Sequence, residues 1–196
     1  MQGKSRWQDE ALKAGLMDDK DPKRRVQGLH DVRWDGLSDL LLRARGRSVL
    51  DVGCNRGHTL YDFALNGAAC VHGCDIYGPG MAAAQHWFAE VHDCEARFEA
   101  VDLSQGAVAL KVFGDRRYDI VLMIGVLHKL KREAPAAVTS GLMQELGRRT
   151  VEYFGWSGYS EEIPQLDADM SAAGLKRIHT SEMAGIGHPA AIWRRI

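Results

Sequence analysis

From residue 48 onward the chain alternates short apolar runs with amphipathic stretches, five times in succession, and then abandons the alternation. Strand-like runs lie at 48–54, 69–76, 96–102, 118–125 and 149–155. Helix-like stretches at 58–66, 79–91, 105–113, 136–147 and 160–173 separate them, and Gly67 and Gly174 each follow a helix where a glycine stops one. Alternation of this kind requires parallel strands joined by right-handed helical crossovers, hence a doubly wound α/β sheet with helices on both faces. The run at 118–125 is the most continuously apolar and belongs at the sheet centre. The last two runs, 175–183 and 189–195, have only 184–188 between them, too short for a helix. They read as an antiparallel pair. The fold expected is α/β, with a mostly parallel seven-stranded sheet closed by an antiparallel C-terminal β-hairpin.

The length of 196 residues fits one compact domain. Within it, 1–46 reads as an N-terminal helical cap or lid and 47–196 as the sheet domain. An amphipathic stretch at 7–16 and a helix at 36–44, with Leu37, Leu40, Leu41 and Leu42 as its buried face, make up the cap. Hydrophobic residues are 45% and charged residues 26% of the chain, so a disordered or low-complexity reading has no support. The net charge is -1, with no global basic footprint of a nucleic-acid binder. Short basic clusters at Lys23-Arg24-Arg25, Arg116-Arg117, Lys129-Lys131-Arg132 and Arg148-Arg149 read as solvated surface. Cys54, Cys70, Cys74 and Cys94 contain no C-x-x-C pair and sit mostly in apolar runs, as buried free thiols do. No stretch approaches the ~18 apolar residues of a membrane span, and the N-terminus lacks the apolar core of a signal peptide. A cytoplasmic location is expected, with no membrane partner; the oligomeric state is left open.

Chemistry is concentrated at the turn out of the first strand, Val49-Leu-Asp-Val-Gly-Cys-Asn-Arg-Gly57. Gly53 and Gly57 let the backbone turn tightly and lie against a ligand, and the following helix offers free N–H groups. In an open α/β sheet the ligand crevice lies at the carboxyl ends of the strands, near the point where strand order reverses. Asp51, inside the apolar strand, requires a partner if it is buried. By themselves these residues are compatible with either a dinucleotide or another adenosine-bearing cofactor.

The segment Leu50-Asp-Val-Gly-Cys-Asn-Arg-Gly57 resembles motif I of class I (Rossmann-like) S-adenosylmethionine-dependent methyltransferases, with Asn55 at the usual middle glycine. Asparagine tolerates left-handed backbone better than most residues. Asp75 ends the second strand 18 residues beyond Gly57, where an acid can accept ribose hydroxyls, and Ile76 and Tyr77 follow it. Asp102 and Leu103 end the third strand, where the family contacts adenine. Ile124 and Gly125, in a segment running to His128, resemble the family's motif IV, beside the methionine moiety. The resemblance covers about 48–196 and implies S-adenosylmethionine as cofactor, with S-adenosylhomocysteine as product. The cofactor-binding residues expected are Asp51, Gly53, Cys54, Asn55, Gly57, Asp75, Ile76, Tyr77, Asp102, Leu103, Ile124 and Gly125. For Asp75 and Asp102 the alternative is plain turn or helix capping.

The reaction implied is in-line displacement, for which alignment of nucleophile and methyl does most of the work. His128, just past the fourth strand, is the candidate general base; His58 and His188 are weaker candidates. Trp34, Trp156 and Tyr159 are the candidate substrate residues, with Trp7 and Arg33 as further lid positions. No N/D-P-P-Y/F/W sequence follows the fourth strand, and no cysteine ends the fourth or fifth, so neither adenine amino methylation by that route nor a covalent-thiol cytosine reaction is indicated. No His/Cys/Asp/Glu set has metal-ligand spacing, and no metal is expected. Short connections favour a small or medium-sized metabolite as substrate. An RNA or protein acceptor is the second reading and a non-catalytic cofactor-binding module the third. A nicotinamide oxidoreductase lacks a catalytic constellation such as Tyr-x-x-x-Lys.

Overall fold

The computed structural model describes residues 36–89, 93–181 and 188–196. Most of the expected N-terminal cap falls outside these residues, including Trp7, Arg33, Trp34 and the Lys23–Arg25 cluster. In chain order the elements are α1 (Ser38–Leu42), β1 (Ser48–Val52), α2 (His58–Leu65), β2 (Cys70–Asp75), α3 (Gly78–Phe88) and β3 (Glu95–Ala100). A 3-10 segment at Leu103–Phe113, broken at Gly106, leads to β4 (Tyr118–Ile124), α4 (Leu127–Glu133), α5 (Ala136–Arg149) and β5 (Thr150–Ser157). A 3-10 turn at Ser160–Glu162 then enters α6 (Ile163–Ala172), and β6 (Leu175–Ser181) and β7 (Ala190–Arg195) end the chain.

The seven strands form one sheet in the order β3-β2-β1-β4-β5-β7-β6. β1 to β5 pair in parallel, while β7 is antiparallel to both β5 and β6. β4 is the central strand, as its apolar run predicts. The final strand inserts between β5 and β6, so the hairpin closes the sheet with its first strand at the edge. Strand order reverses beside β1, between β2 and β4, and this opens a crevice at the carboxyl ends of these strands.

Alternate residues of the inner strands feed two separate cores. On one face Val49, Val71, Ile120, Leu122 and Ile192 pack against Leu37, Leu40, Leu60, Phe63 and Phe88 from α1, α2 and α3. On the other, Leu50, Val52, Val121, Met123 and Phe154 pack against the 3-10 segment, α5 and α6. Burying each large side chain contributes about 1.5–3 kcal/mol. Arg195 of β7 donates to the carbonyls of Ala173 (2.7 Å) and Thr150 (2.9 Å), tying the end of α6 to the start of β5. Leu37, at the N-cap of α1, and Leu40 within it are buried as expected, but Leu42 is 79% exposed. Leu42 lies two residues beyond Leu40, which at about 3.6 residues per turn puts it on the opposite side of the helix, toward solvent.

Candidate active site

The loop after β1 crosses the carboxyl end of β2. The amides of Gly53 and Cys54 both donate to the Cys74 carbonyl, at 2.7 and 3.0 Å. Gly53 (φ 82°), Asn55 (φ 54°) and Gly57 (φ 75°) take left-handed backbone, and Asn55 is the one non-glycine residue with positive φ among the described residues. A Cβ on Gly53 would collide with Val126, and one on Gly57 would lie 2.8 Å from Phe98. Asp75 fixes the loop from the other side. Its carboxylate accepts the Asn55 amide at 2.9 Å and the Tyr77 amide at 3.0 Å.

Above this loop is a cavity of about 530 Å³. Gly53, Asn55, Asp75, Ile76, Asp102 and Leu103 line one end. Ile124, Gly125, Val126 and His128 lead from the end of β4 toward Ser157, Gly158 and His188. Asp102 caps the 3-10 segment, with Oδ1 accepting the Ser104 amide at 2.9 Å and hydroxyl at 2.6 Å. The Ser104 hydroxyl and amide hold its carboxyl below the usual carboxylate range. The capping expected as the alternative for Asp75 and Asp102 is therefore present, and both acids line the cavity as well.

Four expected cofactor-binding residues do not line this cavity. Asp51 and Cys54 are buried beneath the loop, Asp51 between Gly73 and Leu122 in the strand register. Burial pushes the Cys54 thiol well up, and its Sγ lies 3.7 Å from Met81 Sδ. Gly57 serves as the left-handed N-cap of α2, whose first residue is His58. Tyr77 is exposed, with the Arg56 guanidinium 5.8 Å from its ring centroid.

At the other end of the cavity, Tyr159 meets two imidazoles edge-on: His128 at 4.9 Å and His188 at 4.6 Å between ring centroids. Nδ1 of each histidine is buried and has no hydrogen-bond partner among the described residues. Burial, then the charges of Lys129 and Arg132, lower the His128 pKa from its ordinary 6.5, so the ring is neutral near pH 7. Trp156 is not a wall of this cavity. Strand alternation turns it to the same face as Phe154, where it is fully buried against Trp193. Its neighbours Ser157 and Gly158 line the cavity instead.

Sequence reasoning passed over α4. Leu127 and Leu130, three apart between charged residues and ending before Pro135, carry its helical signal. This helix places Leu130 and Glu133 on the cavity, and it brings Lys129, expected to be solvated surface, to the same wall.

Folding also assembles a donor set that spacing along the chain does not show. Cys70, His72 and Glu95 offer ligand atoms within 4.8 Å of one another, at the opposite end of β2 and β3. Arg116 already supplies a cation there, donating to Glu95 Oε1 at 2.9 Å and Cys70 Sγ at 3.1 Å.

The methyltransferase-domain family model matches residues 49–147, half of the chain. No curated protein matches the sequence. Among solved structures, the chain is similar to magnesium protoporphyrin IX methyltransferase from Synechocystis PCC 6803 with bound SAM, at 18% identity. That match covers 98% of this chain and 92% of the other, with a TM-score of 0.69. Similarity extends to the 1,6-didemethyltoxoflavin-N1-methyltransferase of Burkholderia thailandensis, at 18% identity over 100% of this chain and 92% of that one, with a TM-score of 0.63. The 16S rRNA methylase RmtB matches at 19% identity over 95% of this chain and 72% of that one, with a TM-score of 0.63.

Proposed function

Because the chain belongs to the methyltransferase-domain family, we propose that it transfers the methyl group of S-adenosylmethionine to a small or medium-sized metabolite by in-line displacement. The observation that carries this reading is the single cavity wall running from Asn55, Asp75 and Asp102 at one end to His128 and His188 at the other. The left-handed backbone at Gly53 and Asn55 brings the loop onto the cavity, with Gly53 packed so closely on Val126 that no side chain fits between them. A carboxylate has lone pairs beyond the two amides that Asp75 accepts, enough to bond ribose hydroxyls. When bound, S-adenosylmethionine supplies a methyl group already activated by its sulfonium charge.

The chain's own contribution is binding, alignment and proton management. Asp75 and Asp102 would hold the nucleoside, and Gly53, Asn55, Ile124 and Gly125 the amino-acid end. Alignment of an acceptor against the methyl can lower the barrier by ~7–11 kcal/mol relative to free encounter. His128, neutral near pH 7, would accept the acceptor's proton, and Tyr159 would hold the imidazole plane by its edge-on contact. Among the described residues, α4, Ser157 and Gly158 at the end of β5, and His188 before β7 line the acceptor end, short segments that suit a compact acceptor.

A second reading, an RNA acceptor, draws on α4, where Lys129, Lys131 and Arg132 cluster beside the cavity. Phosphate contacts would make such binding fall steeply with salt.

Calorimetric titration with S-adenosylmethionine, S-adenosylhomocysteine and NAD, repeated on Asp75→Ala, tests the cofactor. Saturable binding of the first two, lost in the variant and absent for NAD, is expected. Binding of NAD alone would overturn the reading. A screen of metabolite and RNA acceptors at low and high salt then separates the two acceptor classes.

A further inference from the structure

A second cavity, of about 420 Å³, lies behind α4, between the N-terminal turns of α5 and α6. Much of its wall is hydrocarbon, from Leu127, Met143 and Leu166, and its polar floor is acidic, from Glu162 and Asp169. Both acids are 2% exposed. Both oxygens of Asp169 have neutral donors: the Ser140 hydroxyl and the side-chain amide of Gln144 (3.1 Å) on Oδ1, and that of Gln165 (3.3 Å) on Oδ2. Glu162 differs. Its Oε2 accepts the Tyr159 amide at 3.1 Å, but Oε1 is buried with no hydrogen-bond partner among the described residues. Lys131 on this wall is exposed; its charge acts on Glu162 in the direction opposite to burial, but no salt bridge joins the two among the described residues.

A buried carboxyl oxygen without a donor is costly, and a buried carboxylate without a counter-charge more so. Burial accordingly pushes the Glu162 carboxyl up from its ordinary value. A ligand that offered N–H donors, a positive charge and a small hydrocarbon body would satisfy the acid and fill the apolar wall together. The volume is in the range of small-molecule pockets.

We propose that this cavity is a binding site for a small organic ammonium ion, with Glu162 as its counter-charge. It is separate from the cofactor cavity yet adjoins it twice. α4 presents His128 and Leu130 to the first cavity and Leu127 and Lys131 to the second. Glu162 also holds the amide of Tyr159, whose ring contacts His128. The site does not depend on the reaction proposed above.

The test is an amide-resolved NMR titration of the full chain with benzylammonium, benzyl alcohol and benzoate as probes. Benzylammonium is expected to shift the amides of Ala137, Ser140 and Gln165 saturably, binding at least ~10-fold more tightly than benzyl alcohol, as a charge-assisted hydrogen bond implies. Benzoate should not bind. Glu162→Gln should weaken benzylammonium by at least ~10-fold, and Met143→Trp, which fills the apolar wall, should abolish the shifts. Amide resonances of both variants that stay at their wild-type positions outside this cavity report that the fold survives. Equal affinity for benzylammonium and benzyl alcohol, unchanged affinity in Glu162→Gln, shifts confined to Asn55 and Gly125, or no shifts at all would overturn the proposal.

Discussion

Asp75, at the end of β2, accepts the backbone amide of Asn55, twenty residues earlier in the chain, at 2.9 Å. The same carboxylate accepts Tyr77 N at 3.0 Å, so one side chain fixes both segments that flank the Asp75 end of the cavity. Asp75→Ala removes both acceptors. Hydrogen bonds to a charged group contribute about 1.5–3 kcal/mol each when buried and less when exposed, so we expect destabilisation of about 1–2 kcal/mol in urea. S-adenosylhomocysteine affinity should fall far more than that loss accounts for. Affinity unchanged in the variant would remove Asp75 from the binding residues.

Gly53→Ala places a Cβ against Val126 on a backbone at φ 82°. Left-handed backbone costs an alanine about 1–2 kcal/mol, and overpacking typically adds 1–3 kcal/mol. We expect about 2–5 kcal/mol lost in denaturant unfolding, by the sum of these two effects. Gly53→Ala with Val126→Ala should recover the overpacking part only. Full recovery would mean the backbone angle adapts.

The lowered pKa of His128 sets the sign of its pH dependence. A general base must be neutral, so with His128 in that proposed role kcat should be flat near pH 7 and fall on acidification, with an apparent pKa below the ordinary 6.5. His128→Asn should reduce kcat by about 10²–10⁴-fold and remove that acid limb. A small loss of kcat with the limb retained would assign the limb to another group, such as His188.

His72 gives a stability signature distinct from the site. It is 1% exposed, with Nδ1 2.7 Å from the Tyr118 hydroxyl, and burial followed by the Arg116 charge lowers its pKa. Glu95 opposes these effects, and Arg97 adds to them. The unfolded chain therefore binds the proton more readily than the folded one. His72 stabilises the fold above about pH 6.5, and this stability is lost as pH falls through its lower folded value. Chemical unfolding of wild type and His72→Gln across this range should show a shallower pH slope in the variant.

Trp156 and Tyr159 are three residues apart and are expected to respond in opposite ways. Trp156→Ala empties a fully buried position and should cost about 3–5 kcal/mol. Tyr159 is 40% exposed at the two histidines, so Tyr159→Ala should change stability by about 1 kcal/mol or less. Its effect should appear in the acceptor's KM and in kcat. Comparable destabilisation by both would move Tyr159 into the core.

The period of the apolar pattern was enough to determine the seven strands, the helices between most of them and the central place of β4, because burial on both faces marks nearly every residue of the inner strands, and the alternation of helix and strand then places the more exposed edge strands β3 and β6. The glycine loop, Asp75 and Asp102 were legible for a related reason: backbone that must turn left-handed, and acids at strand ends, restrict residue type locally. Side-chain direction was not legible at the strand ends. Trp156 and Ser157 are adjacent in sequence, and only the pleat decides that one enters the core while the other meets the cavity. The insertion of β7 between β5 and β6 is likewise a pairing choice, made by long-range contacts. So is the meeting of His128, Tyr159 and His188, which lie after three different strands and converge only once the sheet has formed. Local preference acts along the chain, whereas a site is made of side chains brought together across it, and that assembly belongs to tertiary structure alone.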